Sequence, residues 1–133
     1  MDKAEVVANP HGEVVVCPVN EKMAESRIKF LSSEVSPGML CKEGDRLARD
    51  VIEKAGYGQY FGHSLGHSVG LEIHEKPALS PKDGHVLQAG MVETVEPGIY
   101  LPGKFGMRLE DFGVVTDDGF DVFTNSTHDL VVI

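Results

Sequence analysis

The hydrophobic positions at the start of the chain fall in two short valine-rich runs. These runs lie at residues 6–7 and 14–16, and the sequence Asn-Pro-His-Gly separates them at residues 9–12. Turn-forming residues between two β-branched runs are typical of strands joined by a turn. The pattern therefore predicts a pair of short strands within residues 5–17.

Two stretches with the periodicity of amphipathic helices come next. Apolar side chains at positions 24, 28, 31 and 35 follow Asn20, a good N-cap, and predict a helix over residues 21–35. A second helix is predicted from about Lys42 to Ala55, where positions 47, 51 and 55 form an apolar stripe that positions 48 and 52 widen. Gly56 then suits the left-handed residue that ends many helices.

The rest of the chain has the pattern of strands separated by glycine-rich turns. Strands are predicted at Met91–Glu96, Met107–Thr116 and Phe120–Thr124, with a further one at Leu130–Ile133. Asp118-Gly119 between two of these runs is a strong hairpin signal. The fold class that follows is α+β, with two helices packed on a mainly antiparallel sheet.

Chain length and composition limit the kinds of protein this can be. The 133 residues are enough for one domain, residues 1–133. The net charge of −9, without any basic run, makes nucleic acid a poor partner. No apolar run is long enough to span a bilayer, and the start lacks the apolar segment of a signal peptide. Cys17 and Cys41 form no C-x-x-C pair. We therefore expect a cytoplasmic protein with no membrane contact.

Three histidines, His63, His67 and His74, lie within a glycine-rich segment. Imidazole can ligate a metal, donate a hydrogen bond to a developing oxyanion or transfer a proton near neutral pH. The spacing of His63 and His67 resembles that of a zinc-protease helix, but Ser64 stands where the general-base glutamate belongs. The neighbouring glycines also disfavour a helix. The segment is therefore a candidate site of another kind.

Glu96 ends an apolar strand, directly before Pro97-Gly98. Because side chains alternate along a strand, Glu96 shares a face with Val92 and Thr94. A carboxylate on a buried face needs a partner, since an unpaired buried charge is very costly. Glu96 is therefore either a functional carboxylate or a simple turn residue at the end of the strand.

Arg108 and Glu110 lie two residues apart, so both would project from one face of a strand. They form either a surface salt bridge or a substrate clamp beside a metal-bridging carboxylate. Together, His67, Glu96 and Glu110 supply one nitrogen and two carboxylate ligands, a set that suits Mn²⁺, Fe²⁺, Co²⁺ or Zn²⁺.

Several sequence blocks between residues 35 and 124 occur in a fixed order. They are Pro37-Gly38, the Ala48-Arg49-Asp50 helix, Gly56-Tyr57-Gly58, His63 to Glu75, Thr94 to Tyr100 and Gly106 to Asp111. Together these blocks resemble the pita-bread metallopeptidases, most closely the prolidase and Xaa-Pro aminopeptidase branch. The resemblance covers roughly two thirds of the chain.

The resemblance implies a half or partial pita-bread fold, the carboxy-terminal part of a metallopeptidase catalytic domain. It implies three metal ligands, the last of which bridges two ions: His67, Glu96 and Glu110. It also implies three residues that bind substrate or stabilise the tetrahedral intermediate: His63, His74 and Arg108. The implied activity is hydrolysis of the bond before proline in short peptides, with Mn²⁺, Co²⁺ or Zn²⁺ as the metal.

The chain departs from the family pattern at two aspartate ligands. In the family these precede the first helix, the second near an Asp-x-Thr-Arg-Thr motif that this sequence lacks. Asp2 stands near the expected place, but residues 3–5 do not match what should follow it. Because the two aspartates serve mainly the second metal in the family, the sequence predicts one ion per chain, bound more weakly, or none.

Three hypotheses about function stay open. The chain is a truncated Xaa-Pro peptidase with an incomplete site, or a competent hydrolase that completes its site in a homodimer or with a separate amino-terminal half. The third is a non-enzymatic peptide- or protein-binding module that reuses the fold. A half-fold would expose a large apolar face where the missing half packs, and we expect dimerisation through that face.

Overall fold

The first described elements are two short strands. The computed structural model describes residues 5–8, 14–17 and 33–126. Strand β1 (Glu5–Ala8) pairs antiparallel with strand β2 (Val14–Cys17). The strand pair predicted for the start of the chain is confirmed.

Two predicted elements fall mostly or wholly outside the described residues. The helix predicted over residues 21–35 is described only from residue 33 onward, and residues 33 and 34 are helical. The strand predicted at Leu130–Ile133 lies outside the described residues. Of the two predicted helices, the described part of the chain therefore contains one in full.

Helix α1 (Cys41–Lys54) matches the second predicted helix to within one residue at each end. Glu43 in its first turn accepts a hydrogen bond from Leu40 N–H (3.0 Å), which satisfies one of the free donors at a helix start. Gly56 adopts a φ of +85° just after the last turn, as a left-handed helix end requires. A short 3-10 helix, Gly58–Tyr60, follows.

The buried face of α1 differs from the predicted apolar stripe. Ala48 and Ile52 are buried as predicted, but Ala55 is exposed. The buried face instead contains an acidic side chain, Asp45, which is paired with Arg49. A pattern of apolar positions cannot locate a face that has a carboxylate at its centre.

The remaining strands form one five-stranded sheet and one two-stranded ribbon. They are β3 (Gly66–Ser68), β4 (Glu75–Leu79), β5 (Val92–Val95), β6 (Gly98–Leu101), β7 (Phe105–Arg108), β8 (Asp111–Val115) and β9 (Phe120–Val122). The large sheet has the order β4-β3-β5-β8-β9, and the ribbon pairs β6 with β7. All of these pairs are antiparallel, so the predicted α+β class with a mainly antiparallel sheet is confirmed.

The prediction of one strand over Met107–Thr116 is wrong, because two strands in different sheets cover that range. The break falls at Leu109 and Glu110, opposite Glu96 and Pro97, where β5 gives way to β6. Leu109 N–H still donates to Pro97 O across the break (3.3 Å), but Pro97 has no N–H to donate in return, so the regular ladder is interrupted there. The resulting kink brings the two glutamates to the same level of the sheet.

The hairpin predicted at Asp118-Gly119 joins β8 to β9. Thr116 N–H donates to Gly119 O (2.9 Å) and closes the turn. Strand β9 ends two residues earlier than predicted, because Thr124 leaves the ladder and its side-chain Oγ1 accepts from Phe112 N–H (3.0 Å).

The core packs helix α1 against the large sheet. Its buried apolar residues are Val35, Cys41, Ala48, Ile52, Phe61, Leu65, Leu79, Leu87, Val95 and Val115. Two of them, Phe61 and Leu65, flank the first histidine of the glycine-rich segment, so the core anchors the segment that carries the candidate site.

The described residues contain no helix that is both long and apolar enough to cross a membrane. Helix α1 has 14 residues, whereas a span needs about 20.

Candidate functional site

His67 lies on strand β3, where hydrogen bonds hold both its backbone and its ring. Its N–H donates to Thr94 Oγ1 (3.1 Å), and ring Nδ1 lies 3.0 Å from Ser68 O. Because a carbonyl oxygen only accepts, Nδ1 carries a proton. The other ring nitrogen, Nε2, faces Glu96 Oε1 at 3.2 Å. A neutral His67 therefore directs an unprotonated nitrogen at a carboxylate.

Glu96 follows the last residue of β5, at the kink, and its carboxylate is largely buried. Thr94 Oγ1 donates to Glu96 Oε1 (2.8 Å), as expected for two side chains on one face of the strand. Arg108 Nη1 lies 3.6 Å from Glu96 Oε2. The buried carboxylate of Glu96 therefore has partners on both of its oxygens, as predicted.

Glu110 meets the same arginine from the other side of the kink. Arg108 Nη2 lies 3.4 Å from Glu110 Oε2, and both side chains are nearly half exposed, at 49% and 42%. Although the strand ends at Arg108, the predicted Arg108–Glu110 pair is present. The guanidinium thus lies between two carboxylates, Glu96 and Glu110.

His63 has both ring nitrogens in hydrogen bonds. Nδ1 lies 2.7 Å from Ser64 O, and Nε2 lies 2.9 Å from Tyr100 Oη. Sequence reasoning missed Tyr100, which comes from strand β6. A usable signal was the glycines around it, since a Cβ at Gly98 or Gly106 would lie 2.7 Å from an atom of the Tyr100 side chain. The glycines leave the space in which tyrosine and imidazole meet.

His74 lies in the exposed loop between β3 and β4, beside His67. The two ring centroids are 4.3 Å apart, with 51° between the ring planes. Leu71 and Ile73, in the same loop, are 105% and 72% exposed. The loop therefore offers an imidazole and two apolar side chains to solvent next to the His67–Glu96 pair.

Two further titratable groups are buried, Glu93 on strand β5 and Cys41 at the start of helix α1. Burial raises the pKa of Glu93 to about 7, although the hydroxyl of Ser68 donates to its carboxylate and lowers it. The charge of Asp83 raises it further. Burial likewise raises the pKa of Cys41 to about 12, with Asp83 and Glu93 adding to the effect. Cys41 is therefore an uncharged, weakly nucleophilic thiol at neutral pH.

Whether a metal ion fits this site depends on which side chains can act as its ligands. Among the described residues, no three His, Cys, Asp or Glu side chains lie close enough together to form a complete metal site. His67 Nε2 and Glu96 Oε1, both acceptors, are 3.2 Å apart, and each has a hydrogen-bonded partner behind it as metal ligands usually do. Metal–ligand distances of about 2.0–2.2 Å allow one ion to contact both. The pair therefore fits one cation, and Glu110 reaches the same arginine as Glu96.

Fold and site define a class of protein: an α+β protein in which strand β3 and the end of strand β5, paired in one antiparallel sheet, bring a histidine and a glutamate together, with further imidazoles beside them. Residues 19–117 match metallopeptidase family M24, and the chain belongs to this family.

The similar proteins include peptidases that act before proline. The chain is 52% identical over 97 residues to the Xaa-Pro dipeptidase of Lactobacillus helveticus and 45% identical over 124 residues to that of Pyrococcus furiosus. These matches cover 73% and 89% of this chain. The solved structure of an Xaa-Pro dipeptidase from Bacillus anthracis is similar with a TM-score of 0.81 at 43% identity, over 85% of this chain. The resemblance to the prolidase branch of the pita-bread metallopeptidases is confirmed.

The chain spans only part of each of these relatives. It covers 26% of the Lactobacillus protein, 36% of the Pyrococcus protein and 32% of the Bacillus structure. Well over half of each relative therefore has no counterpart in these 133 residues.

Proposed function

We propose that this chain is the carboxy-terminal part of a catalytic domain that hydrolyses the bond before proline in short peptides. In this proposal three residues ligate a divalent cation, Mn²⁺, Co²⁺ or Zn²⁺: His67, Glu96 and Glu110. Three others bind the substrate and stabilise the charge that develops on it: His63, His74 and Arg108. Residues 1–133 act as one domain in the cytoplasm, where a free thiol such as Cys41 is stable.

The observation that carries the proposal is the contact between His67 and Glu96. With its Nδ1 proton donated to Ser68 O, a neutral His67 leaves Nε2 as an acceptor 3.2 Å from the acceptor Oε1 of Glu96. Two acceptors this close repel each other unless a positive charge lies between them. A divalent cation would supply that charge, with His67 Nε2 and Glu96 Oε1 as two of its ligands.

Each residue around the pair has a task that its contacts support. A cation held by His67 and Glu96 would supply Lewis-acid chemistry for the scissile carbonyl. His74, exposed beside His67, donates a hydrogen bond to the carbonyl oxygen as negative charge develops on it. Glu96, to which the hydroxyl of Thr94 already donates, is suited to accept a proton and pass it to the leaving amine.

The proposal includes a partner surface. The missing part of the site would come from a second copy of the chain or from an amino-terminal half, and only the latter would bring the two aspartate ligands of the family. Leu71 and Ile73 support this, since they are 105% and 72% exposed next to His74. Adjacent apolar side chains exposed at a site suit a surface that another polypeptide covers.

One observation favours the alternative, a peptide- or protein-binding module without hydrolysis. Arg108 lies between the carboxylates of Glu96 and Glu110 and neutralises part of their charge. In that arrangement the two carboxylates need no cation, and the site can bind a peptide through its imidazoles and arginine alone.

Titration of the chain with Mn²⁺ or Co²⁺ by calorimetry tests the metal site. We expect about one ion per chain, and a loss of affinity of about tenfold or more in His67→Ala and Glu96→Gln. His85→Ala is the matched control, because His85 is 67% exposed and bonded to Asp83 (2.6 Å). Equal affinities for wild type and His67→Ala would contradict the assignment of the metal ligands.

Hydrolysis of Ala-Pro by the metal-loaded chain, with Ala-Ala as the control substrate, tests the activity. The proposal expects cleavage of Ala-Pro that rises faster than linearly with chain concentration, because the second half of the site comes from a partner. An ion that binds without cleavage at any chain concentration would support the binding module instead.

A further inference from the structure

Helix α1 carries an ion pair between a partly exposed Arg49 and a buried Asp45, and both residues bond to the histidine segment. Arg49 Nε lies 2.7 Å from Asp45 Oδ2, and Nη2 lies 3.0 Å from Oδ1. Asp45 is only 1% exposed, and the hydrogen bond from Arg49 to it raises the pKa of the guanidinium. A two-point arginine–carboxylate contact of this kind is strong and sets the orientation of both groups.

The same ion pair makes hydrogen bonds with the backbone of every second residue from 61 to 65. Arg49 donates to Phe61 O (3.1 Å) and to His63 O (2.9 Å). Asp45 Oδ1 accepts from Leu65 N–H (3.0 Å). The guanidinium also lies 4.4 Å above the ring of Phe61. Helix α1 therefore holds the backbone on both sides of His63.

One peptide group links the carboxylate to the imidazole. Leu65 N–H and Ser64 C=O belong to the same planar peptide unit. Its N–H donates to Asp45 Oδ1 (3.0 Å), and its oxygen lies 2.7 Å from His63 Nδ1. Since a carbonyl oxygen only accepts, His63 Nδ1 is the donor. A negative charge on the N–H side polarises the peptide and makes its oxygen a better acceptor.

We propose that Asp45, oriented by Arg49, is a positioning residue for His63: through the peptide group between Ser64 and Leu65 it keeps the ring proton on Nδ1. Nε2 is then the acceptor that faces Tyr100 Oη at 2.9 Å. The substrate-binding role of His63 rests on the proposed function. The assignment of its tautomer does not.

A purely structural role for the ion pair explains less. Helix α1 already packs its apolar residues Ala48 and Ile52 into the core. Burying an ion pair carries a desolvation cost that apolar side chains of similar size avoid. Apolar side chains, however, cannot make hydrogen bonds to the backbone of Phe61, His63 and Leu65, and so cannot fix its geometry. The pair therefore adds a defined geometry rather than mere attachment.

Nitrogen NMR of the metal-free chain tests the proposal, because the ¹⁵N shifts of an imidazole report its tautomer. At a pH of about 8, where imidazole is usually neutral, wild-type His63 should show a protonated Nδ1 and an unprotonated Nε2. In Asp45→Asn the peptide loses its charged acceptor, so the two shifts should move toward each other as both tautomers become populated. Wild-type His63 with its proton on Nε2 overturns the proposal without any variant.

Matched variants separate positioning from stability. Asp50→Asn removes an exposed carboxylate from the same helix and should leave the His63 shifts unchanged. Arg49→Lys keeps the positive charge but cannot bond both carbonyls at once, so its His63 shifts should fall between those of wild type and Asp45→Asn. If Asp45→Asn and Arg49→Lys lower the unfolding temperature and leave the tautomer unchanged, the pair is only a structural anchor and the proposal is wrong.

The readout is independent of hydrolysis. A chain that binds no metal and cleaves no peptide can still show the Nδ1–H tautomer and its dependence on Asp45. Failure of the peptidase proposal and failure of the positioning proposal are therefore distinguishable.

Discussion

At the scale of single residues, Glu93 combines complete burial with a carboxylate oxygen, Oε2, that has no hydrogen-bond partner among the described residues. Burial disfavours the charged form, and the pKa rises from 4.5 to about 7 in the folded chain. Below about 4.5 the folded and unfolded chains both hold the proton, and above about 7 neither does. Between these values the folded chain holds more protons than the unfolded one.

This shift predicts that stability falls as the pH rises through about 7, because the folded chain must then bury a charge. A change from 4.5 to about 7 corresponds to about 3 kcal/mol in the free energy of unfolding. Glu93→Gln removes the titrating group and keeps the size of the side chain. Its free energy of unfolding relative to wild type should increase between pH ~5 and ~8, as measured by urea unfolding.

Glu72→Gln is the matched control, because Glu72 is exposed. This variant should keep the pH dependence of wild type. A constant difference between Glu93→Gln and wild type over the whole pH range would show that Glu93 does not titrate as described.

Residue type and spacing were enough to select the six candidate side chains, but not the groups that hold them. A hydroxyl such as that of Thr94 is common on strands, and nothing in the sequence shows that it links His67 to Glu96. Tyr100 reaches His63 across 37 positions of sequence, and the contact depends on where the fold places strand β6. Such partners depend on tertiary structure, which local patterns do not contain.

At the scale of elements, the approach of β3 to β5 brings His67 to Glu96. A Cβ on Gly66 would overlap the carbonyl oxygen of Thr94 and lie 2.6 Å from its carbonyl carbon. Gly66→Ala should therefore push the two strands apart and destabilise the fold by about 3 kcal/mol. Thermal unfolding measures this loss, and a lower affinity for Mn²⁺ should accompany it.

Gly62→Ala provides the control for that prediction. No atom lies within 4 Å of a Cβ built on Gly62, so this variant should unfold at nearly the temperature of wild type. Equal stability of both variants would mean that β3 and β5 are not as close as described.

The elements also show where sequence patterns succeed and where they do not. The hairpin at Asp118-Gly119 and the end of α1 at Gly56 were predictable, because each depends on one turn residue. The break at Leu109 and Glu110 was not, since the run of strand-forming residues continues through it. Its cause is Pro97 on the opposite strand, and the register that brings the two together is not visible locally.

At the scale of the whole molecule, the chain covers about a quarter to a third of the relatives it matches. The described residues nevertheless have their own core, built around α1 and the five-stranded sheet. The loop between β3 and β4, which carries His74, exposes Leu71 and Ile73. A unit that folds around its own core but exposes apolar groups at its site is suited to association.

The association we propose predicts a specific response to substitution. Leu71→Ser together with Ile73→Ser should leave the fold intact, because side chains that are 105% and 72% exposed add little to the core. Removing them should weaken self-association, seen as a lower weight-average mass in sedimentation at the same chain concentration. Val86→Ser is the control: Val86 is 43% exposed but lies outside the site loop, so its substitution should not change the mass. If wild type and the double variant show the same mass at every concentration, the apolar pair is not the contact surface, and a monomer mass for both contradicts the proposed association altogether.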